Sequence, residues 1–511
     1  MTNRTLDNNK RIAKNTLFMY ARMFLTMGIG LYTSRVVLNS LGVEDYGLYN
    51  VIGGIIAMFG FINGAMTNTT SRFIAYYLGK NDDHILSKVF SMTFLIHVLI
   101  ALIIIVLGET LGLWYLNNRL VIPHGRYEAA YWLYQLSIIA SVVNILYIPF
   151  NSSIIAHEKM KAFAYISIVD SCMKLGIALI ISYSQFDKLI FYGILMLAVV
   201  IIDITCYVNY CFMHFKETTI KICFDSKLFK SMMEFTGWSM FGNFAFLFYS
   251  YGINLILNIF FGTAVNAARG IAVQIETVIR QFASNVQTTM NPQIIKSYAE
   301  NDRERMCDLI FASSKYCFFL LYLLALPIMI ETDFILRHWL DLVPEHTAAF
   351  VRITICVCLL DTLSTPLFTG NLATGKVKQY QTAICIVSYS MMPITFLAVK
   401  YSLVPEMAFY CLLFCKITEQ LVRVLISKKQ LQISLTSYVQ KVLMPVFSVS
   451  VFSLVLPILL FNIIQDGIFS FVIIGFVSVL SVISITFWCG LTTMERSFII
   501  NKYRQIKNKY K

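Results

Sequence analysis

Residues 149–163 read PFNSSIIAHEKMKAF, and residues 366–380 read PLFTGNLATGKVKQY. A proline, an alanine, two lysines and an aromatic residue recur in both stretches with identical spacings, at an offset of 217 residues. The matching residues are Pro149, Ala156, Lys159, Lys161 and Phe163 in the first stretch and Pro366, Ala373, Lys376, Lys378 and Tyr380 in the second. Gly42 and Gly262 follow a similar offset of 220 residues, each between two long apolar segments. Two anchors with nearly equal offsets predict two homologous halves.

The composition is that of a membrane protein. Of the 511 residues, 58% are hydrophobic and 14% are charged, and the mean hydropathy is +0.69. Soluble domains are about 45–50% apolar and about 25% charged. Runs of about 20 apolar residues recur along the whole chain, and each is long enough to cross a hydrocarbon core as a helix. We therefore predict an all-α integral membrane protein and exclude the soluble globular class.

The sequence predicts fourteen transmembrane helices. The predicted spans are 15–38, 46–68, 89–113, 128–150, 163–184, 189–212, 234–260, 269–291, 309–330, 347–370, 381–401, 406–426, 441–464 and 468–490. Each half contributes an even number of spans, so both halves enter the membrane from the same side, as parallel repeats do in some secondary transporters. The expected fold is two six-helix lobes around a central cavity, followed by two C-terminal helices.

The predicted organisation and orientation follow from these spans. The segments are a cytoplasmic basic N-terminus at 1–14, an N-lobe at 15–212, a cytoplasmic linker at 213–233, a C-lobe at 234–426, two further helices at 427–490 and a cytoplasmic basic tail at 491–511. Most Lys and Arg residues outside the spans lie on one side of the membrane, and the other side holds Arg119, Arg126, Lys188 and Arg337. The positive-inside rule therefore predicts cytoplasmic termini. Membrane topology accounts for the net charge of +13, and we predict no nucleic-acid partner.

The first connection between spans is short. Residues 34–54 read SRVVLNSLGVEDYGLYNVIGG, and we expect a tight outside turn in which Gly42 and Gly47 let the chain reverse without steric cost. The other loops leave no room for a soluble catalytic domain. No nucleophile–base arrangement, phosphate loop or metal-ligand spacing is present in the sequence, so we predict no catalytic residue, metal or cofactor. The closest cysteines, Cys356 and Cys358, are interpreted as small core residues.

The eighth span carries the clearest charged pattern. In ARGIAVQIETVIRQFASNVQTTMNP, the residues Glu276, Arg280 and Gln287 each fall within about 20° of Arg269 on a helix. Two interpretations stay open. The stripe lines a cavity and contacts an anion, or Glu276 and Arg280 form an i,i+4 ion pair between packed helices.

Other ionisable residues lie deep in the spans, where they normally face the bundle interior or a cavity. Arg22 in the first span is a candidate cavity residue. Asp170 and Lys174 stand at i,i+4 in the fifth span, which favours a mutual pair. Asp203 and Asp361 could pair with an arginine across helices or bind a coupling proton or cation. The candidates for ion coupling or cavity contacts are Asp170, Lys174, Asp203, Glu276, Lys315, Asp361 and Arg423, the last of which shares a helix face with Lys416 and Glu419.

SLGVEDYGLYNVIGG at 40–54, after a first span bearing Arg22, resembles the N-terminus of Wzx-type polysaccharide flippases. These belong to the multidrug/oligosaccharidyl-lipid/polysaccharide (MOP) exporter superfamily. The stretches at 149–163 and 366–380 are similar to that superfamily as well. The resemblance covers the twelve-helix core. It implies a V-shaped, MATE-like transporter of the bacterial inner membrane that works by alternating access.

The resemblance also implies a cargo. A Wzx-type flippase moves an undecaprenyl-pyrophosphate-linked oligosaccharide, the repeat unit of lipopolysaccharide O-antigen, capsule or exopolysaccharide, from the cytoplasmic to the periplasmic leaflet. In related lipid II flippases, cationic residues of the first and eighth helices face the cavity, and Arg22, Arg269 and Arg280 are the best matches here. Membrane lipids, a glycan polymerase and glycosyltransferases of the same pathway are the implied partners.

Three alternatives stay open. Many Wzx-type members have twelve spans, whereas fourteen is the number in lipid II flippases, so a lipid II flippase is one alternative. The second is an antiporter of organic cations of the multidrug and toxic compound extrusion (MATE) type, which would need an acidic, aromatic-lined pocket. The third is a glycan polymerase or ligase, which would need a larger outside loop than 331–346. The Arg-rich stripe favours an anionic cargo.

Overall fold

The computed structural model describes residues 3–57, 60–118, 122, 125–219, 224–340, 343–464, 467–493, 495–497 and 500. All regular secondary structure among these residues is helical. The α-helices are α1 (Asn3–Ala57), α2 (Gly60–Lys80), α3 (Asp83–Leu107), α4 (Leu113–Asn118), α5 (Tyr127–Ala156), α6 (Met160–Ser182), α7 (Lys188–His214), α8 (Ser226–Ala299), α9 (Arg303–Ile330), α10 (Thr332–Trp339), α11 (Thr347–Ala373), α12 (Val377–Ser402), α13 (Glu406–Leu431), α14 (Leu435–Tyr438), α15 (Met444–Ile463) and α16 (Ile468–Ile485). The predicted all-α fold is confirmed.

Nine helices in the described part of the chain are long and apolar enough to cross a membrane. They are His84–Asn118, Tyr127–Ala156, Met160–Ser182, Lys188–His214, Arg303–Ile330, Thr347–Ala373, Val377–Ser402, Leu435–Ile463 and Ile468–Gly490. The other five predicted spans fall on α1, α2, α8 and α13, and the second of them includes residues 58 and 59, which lie outside the described residues. The chain is a multi-pass membrane protein, and the helix content is consistent with fourteen spans.

Two long helical runs each bend at a single glycine. Within α1 the only non-helical residue is Gly42, with φ 80° and ψ 171°, and within α8 it is Gly262, with φ 78° and ψ −164°. Positive φ values of this size strain any residue with a Cβ, which explains glycine at both positions. Gly47 has helical dihedral angles. The expectation that Gly47 also forms the turn is therefore wrong, because one residue suffices to break the helix.

The structure repeats itself at the offset found in the sequence. The bends at Gly42 and Gly262 differ by 220 positions, and so do two left-handed residues, Asn81 and Asn301, that precede α3 and α9. The turns before α6 and α12 also contain left-handed residues, Glu158 and Gly375, at an offset of 217. These equivalent positions confirm the predicted repeat.

A polar contact between side chains occupies the same place in each half. In the first half Arg126, the N-cap of α5, forms ion pairs with Asp187, the N-cap of α7, and with Asp45 in α1. In the second half His346, the N-cap of α11, contacts Glu406 at the start of α13. Each pair ties together the starts of two helices that the sequence separates by about 60 residues.

The chain forms two compact units. The first contains Met1–Phe244 and Thr288–Asp302, and the second contains Ala245–Gln287 and Arg303–Lys511. In the first unit α1 packs against α6, and α5 packs against α7. In the second unit α11 and α12 pack against α13, and α15 and α16 pack against each other and α9. The lobe boundaries predicted from the sequence stay a prediction.

A buried carboxylate joins three segments of the first unit. The side chain of Glu158, 1% exposed, lies in the turn between α5 and α6. It pairs with Lys296 at 2.9 Å and Arg11 at 2.9 Å, and accepts a 2.6 Å hydrogen bond from Gln293. Asn15 donates to the Glu158 carbonyl oxygen at 3.1 Å. This Glu158 cluster fixes the start of α1 and the end of α8 to the same turn.

Candidate functional site

The first unit contains an open cavity of about 280 Å³ between α1, α5, α6 and α7. The helices that line this cavity are mostly apolar along the rest of their length, and their charged side chains are concentrated at the cavity. The charged or neutral polar residues that line it are Arg22, Asn144, Ser167, Asp170, Lys174 and Asp203. Ionisable groups placed together inside membrane helices normally mark a functional site. We call this space the first-unit cavity.

Arg22 reaches the first-unit cavity from α1. Its Nη1 donates to Ser167 Oγ at 3.5 Å, and its guanidinium lies 4.8 Å from the centre of the Phe163 ring. An aromatic face attracts a guanidinium and holds its plane. Both contacts come from α6, so the packing of α1 on α6 sets the position of this cation.

Three predicted candidates from α6 and α7 lie beside Arg22. Lys174 pairs with Asp170 at 2.8 Å, so the predicted i,i+4 pair is present. Asp203 on α7 lines the same cavity as Asp170 on α6. The Oδ1 atom of Asp203 is buried and has no donor among the described residues. The first-unit cavity thus combines two cations with two carboxyl groups.

Two tyrosines complete the lining. The rings of Tyr147 on α5 and Tyr207 on α7 meet edge to face, with centroids 4.9 Å apart. The hydroxyl of Tyr147 accepts a 2.6 Å hydrogen bond from Asn151. The sequence analysis missed these aromatic residues. It also missed Ser167, although Ser167, Asp170 and Lys174 form a polar stripe at i, i+3 and i+7 within an apolar span, a spacing that could have identified it.

The second unit contains a separate network of charges. Arg280 Nε lies 2.7 Å from Glu276, and its Nη2 lies 2.7 Å from Asp361 on α11. The cross-helix partner anticipated for Asp361 is therefore Arg280. Glu276 and Asp361 compensate the Arg280 charge inside the unit, and these contacts favour the ion-pair interpretation of the α8 stripe.

On α13 the network continues through Glu419. Lys416 lies 2.9 Å and Arg423 lies 3.4 Å from its carboxylate, and Ser388 donates to it at 2.6 Å. Arg423 also donates to the hydroxyl of Tyr380 on α12. Each acid in this network contacts a base, so the predicted coupling residues Asp361 and Arg423 belong to a charge-balanced group.

Two further candidates have internal partners away from this network. Arg269 is 5% exposed, donates through Nε to Asn254 and lies 5.8 Å from the centre of the Phe409 ring. Lys315 on α9 pairs at 2.9 Å with Glu495, which follows α16. The TTME sequence around Glu495 is a helix-capping signal, but nothing in it indicated Lys315 as a partner.

The described residues contain no group of three His, Cys, Asp or Glu side chains that could hold a metal ion. The described cysteines, which are eleven in number, are all free thiols. The lining of the first-unit cavity offers charged groups and hydrogen-bonding groups.

No protein-family model matches the sequence, and no curated protein matches it either. Solved structures do match the fold. A MATE transporter in the straight conformation has a TM-score of 0.72 and 13% sequence identity, and the match covers 83% of this chain and 96% of that one. The Vibrio cholerae MATE transporter VcmN in the bent form has a TM-score of 0.70 and 14% identity, and the match covers 86% of this chain and 100% of that one.

A MOP superfamily transporter from Pyrococcus furiosus is also similar, with a TM-score of 0.68 and 11% identity over 83% of this chain and 96% of that one. Its binding pocket is described as having reverse polarity, which suggests a different function for that protein. At these identities the likeness establishes the fold. The chain has the fold of MATE and other MOP-superfamily transporters.

Proposed function

We propose that this protein is a MOP-superfamily exporter that moves undecaprenyl-pyrophosphate-linked oligosaccharide from the cytoplasmic to the periplasmic leaflet of the bacterial inner membrane. The fold supports the class of membrane exporter. The observation that carries the choice of cargo is the placement of Arg22 and Lys174 in the first-unit cavity. A pyrophosphate that crosses hydrocarbon needs its charge compensated, and an arginine supplies permanently charged, bidentate donors.

The first-unit cavity has room for the charged part of the cargo. A space of about 280 Å³ is large enough for a phosphate head group. We assign this cavity to the pyrophosphate, while the polyprenyl chain stays in lipid. Arg269 and Arg280 stay predicted contacts of the cargo, and Arg280 would have to exchange Glu276 or Asp361 for a phosphate oxygen.

A flipping assay with purified protein tests the proposal. Proteoliposomes would carry a fluorescent undecaprenyl-pyrophosphate oligosaccharide, and its arrival in the opposite leaflet would be followed. We expect Arg22→Ala to slow flipping roughly 10- to 100-fold, because one charge-assisted contact is lost. Arg22→Lys should retain part of the rate. Arg35→Ala is the matched control, since Arg35 is an exposed arginine of the same helix.

Two results would contradict the proposal. Wild-type protein that moves no lipid-linked cargo under any ion gradient would remove the flippase function. Equal flipping rates for wild type and Arg22→Ala would be consistent with the flippase function but would contradict the assignment of the pyrophosphate to the first-unit cavity. Running the same assay with lipid II separates the lipid II alternative from the polysaccharide one.

A MATE-type cation antiporter is the second candidate function. It is favoured by the carboxyl groups of Asp170 and Asp203, which line the same cavity as the rings of Phe163, Tyr147 and Tyr207. Carboxyl groups and aromatic faces are the contacts that an organic cation requires. Ethidium efflux that is abolished by Asp203→Asn, together with no lipid flipping, would establish this alternative and overturn the first.

A further inference from the structure

Six charged side chains of the second unit form one connected network, and they differ in exposure. They are Glu276, Arg280, Asp361, Lys416, Glu419 and Arg423, and we call them the second-unit network. The side chain of Arg280 is 34% exposed, whereas that of Lys416 is 14% exposed and that of Glu419 is 4% exposed. Arg280 is thus the cation of this network that a ligand reaches most easily.

Two carboxylates hold the guanidinium of Arg280. Glu276 lies 2.7 Å from Nε and Asp361 lies 2.7 Å from Nη2. A phosphate that approaches Arg280 meets both negative charges, so it binds more tightly once one of them has left. Glu276 stands four residues before Arg280 on the same helix and stays beside it, whereas Asp361 comes from α11. Asp361 is therefore the carboxylate that can leave.

A second cation lies close to Asp361. The Nζ atom of Lys416 is 4.0 Å from Oδ1 of Asp361, while Arg280 contacts the other oxygen, Oδ2. A shift of about 1 Å would shorten the 4.0 Å distance to that of a charge-assisted hydrogen bond, about 2.8 Å. An ammonium group has three donors, so Lys416 can keep Glu419 at 2.9 Å and donate to Asp361 as well. Asp361 thus stands between two cations, in contact with one and near the other.

Lys416 has its own support on the side away from Asp361. Its partner Glu419 accepts a 2.6 Å hydrogen bond from Ser388 on α12 and lies 3.4 Å from Arg423. These contacts stay in place whether Asp361 contacts Arg280 or Lys416. The position of the Lys416 ammonium group therefore does not depend on Asp361.

We propose that Lys416 is a positioning residue for cargo binding: it receives Asp361 when a phosphate group takes Arg280, and it returns Asp361 when the phosphate leaves. The inference rests on the proposed function, because it assumes a phosphate-bearing cargo. An uncompensated carboxylate inside a membrane protein is costly, so Asp361 leaves Arg280 only where another cation takes it over. The exchange keeps each charged side chain of the network paired throughout.

This exchange differs from a direct attraction between Lys416 and the cargo. If Lys416 acts through Asp361, its charge matters only while the residue at position 361 is a carboxylate. If it attracts the phosphate directly, its charge matters whatever side chain stands there. A double-mutant cycle on Lys416 and Asp361 therefore separates the two effects.

The experiment measures, by calorimetry, the affinity of the full-length protein in detergent for farnesyl pyrophosphate. We expect Lys416→Gln to weaken binding about tenfold, because Asp361 then has no second partner. In an Asp361→Asn background the same change should alter the affinity less than about twofold. Asp361→Asn alone should bind at least as tightly as wild type, because Arg280 has lost a competing carboxylate. Arg280→Ala should weaken binding about tenfold or more.

Four controls complete the design. Lys416→Arg keeps the charge and should retain most of the affinity. Lys416→Met is the second variant, for the case that Lys416→Gln does not fold. Lys400→Gln is the matched control, since Lys400 is an exposed lysine near the end of α12, and it should bind as wild type does. Farnesol, which has the same chain without phosphate groups, measures the contribution of the chain.

Each outcome separates the exchange from the proposed function. An equal loss of affinity from Lys416→Gln in both backgrounds would overturn the exchange, and so would unchanged binding by Arg280→Ala; both results leave the flippase proposal standing. No binding of farnesyl pyrophosphate by wild type would overturn the exchange, and the flipping assay would decide the flippase function separately. A loss from Lys416→Gln that needs the Asp361 carboxylate, together with a loss from Arg280→Ala, would support the exchange.

Discussion

At the scale of single residues, Glu158 shows how a charge can hold a turn together. Its φ of 60° is unusual for a residue with a side chain, and the equivalent position in the second half is Gly375. The strained backbone is retained because the carboxylate contacts Lys296, Arg11 and Gln293. A buried carboxylate is stabilised by its charged partners, and its removal leaves the charges of those partners uncompensated.

Replacing Glu158 should therefore change the free energy of unfolding through two effects that can be measured separately. One is the loss of the carboxylate contacts, and the other is the strain of the backbone at this position. We expect Glu158→Ala to lower the free energy of unfolding by about 3 kcal/mol, because Lys296 loses its buried partner. Glu158→Gly loses the same contacts but relieves the backbone, so it should be about 1 kcal/mol less damaging than alanine. Thermal unfolding in detergent micelles measures both, with the exposed Glu234→Ala as control. Equal unfolding temperatures for wild type and Glu158→Ala would contradict the role of the cluster.

At the scale of elements, the contact between α5 and the π-helical turn Gly108–Gly112 depends on a glycine. The hydroxyl of Tyr134 on α5 donates to the Gly108 carbonyl oxygen at 2.7 Å. A Cβ atom at Gly112 would lie 1.9 Å from that hydroxyl oxygen and 3.1 Å from the ring carbon that bears it. The glycine thus makes room for one oxygen atom.

This geometry predicts a strongly coupled pair of substitutions. Gly112→Ala alone should cost about 1–3 kcal/mol, because the tyrosine must move and lose its hydrogen bond. In a Tyr134→Phe background the same change should cost less than about 1 kcal/mol, because the clashing oxygen is gone. A double-mutant cycle on apparent unfolding temperatures measures the difference. Additive effects of the two changes would show that the close contact does not decide the packing.

The ion pair at the start of α7 predicts a dependence on pH. Burial opposes ionisation of Asp187, but hydrogen bonds from Arg126 and from the backbone of α7 outweigh it and hold the pKa of Asp187 below its usual value. The pKa is thus lower in the folded than in the unfolded protein. The stability it contributes is complete above about pH 4, the ordinary aspartate pKa, and is lost as the pH falls through the folded value.

Asp187→Asn should consequently unfold at a lower temperature than wild type at pH 6, and the gap should narrow as the pH falls below about 4. Thermal unfolding of both proteins across this range measures the gap. Glu128→Gln is the control, and it should show no gap at either pH. A gap that stays constant down to pH 3 would contradict the assignment to the Asp187 ion pair.

At the scale of the whole molecule, the distribution of Lys and Arg predicts the orientation in the membrane. Gln185 lies in the turn between α6 and α7, and Thr219 follows α7 at its other end; both are exposed. In a background without the twelve native cysteines, Gln185→Cys should react with an impermeant maleimide added to intact spheroplasts. Thr219→Cys should react only after the membrane is opened. The reverse pattern would invert the topology and the proposed direction of transport.

Much of the fold could be predicted from patterns within single segments. Apolar runs indicated the membrane helices, and an offset near 220 residues indicated two related halves, which the bends at Gly42 and Gly262 confirm. The charged candidates were recognisable because an ionisable residue inside an apolar span is rare. Pairs within one helix, Asp170 with Lys174 and Glu276 with Arg280, follow from the i,i+4 spacing.

What the sequence by itself determined is the class of the protein, its repeat and the identity of its charged residues. Local composition shows the class and the charged residues, and a fixed offset between similar segments shows the repeat. Tertiary structure decided which charges meet. Arg280 contacts Asp361, Lys315 contacts Glu495, and Asp203 lines the same cavity as Asp170. Helical periodicity predicts which side chains lie close together only over a few turns of one helix. The partner on a neighbouring helix depends on how both helices are rotated and packed, and only the folded chain fixes that.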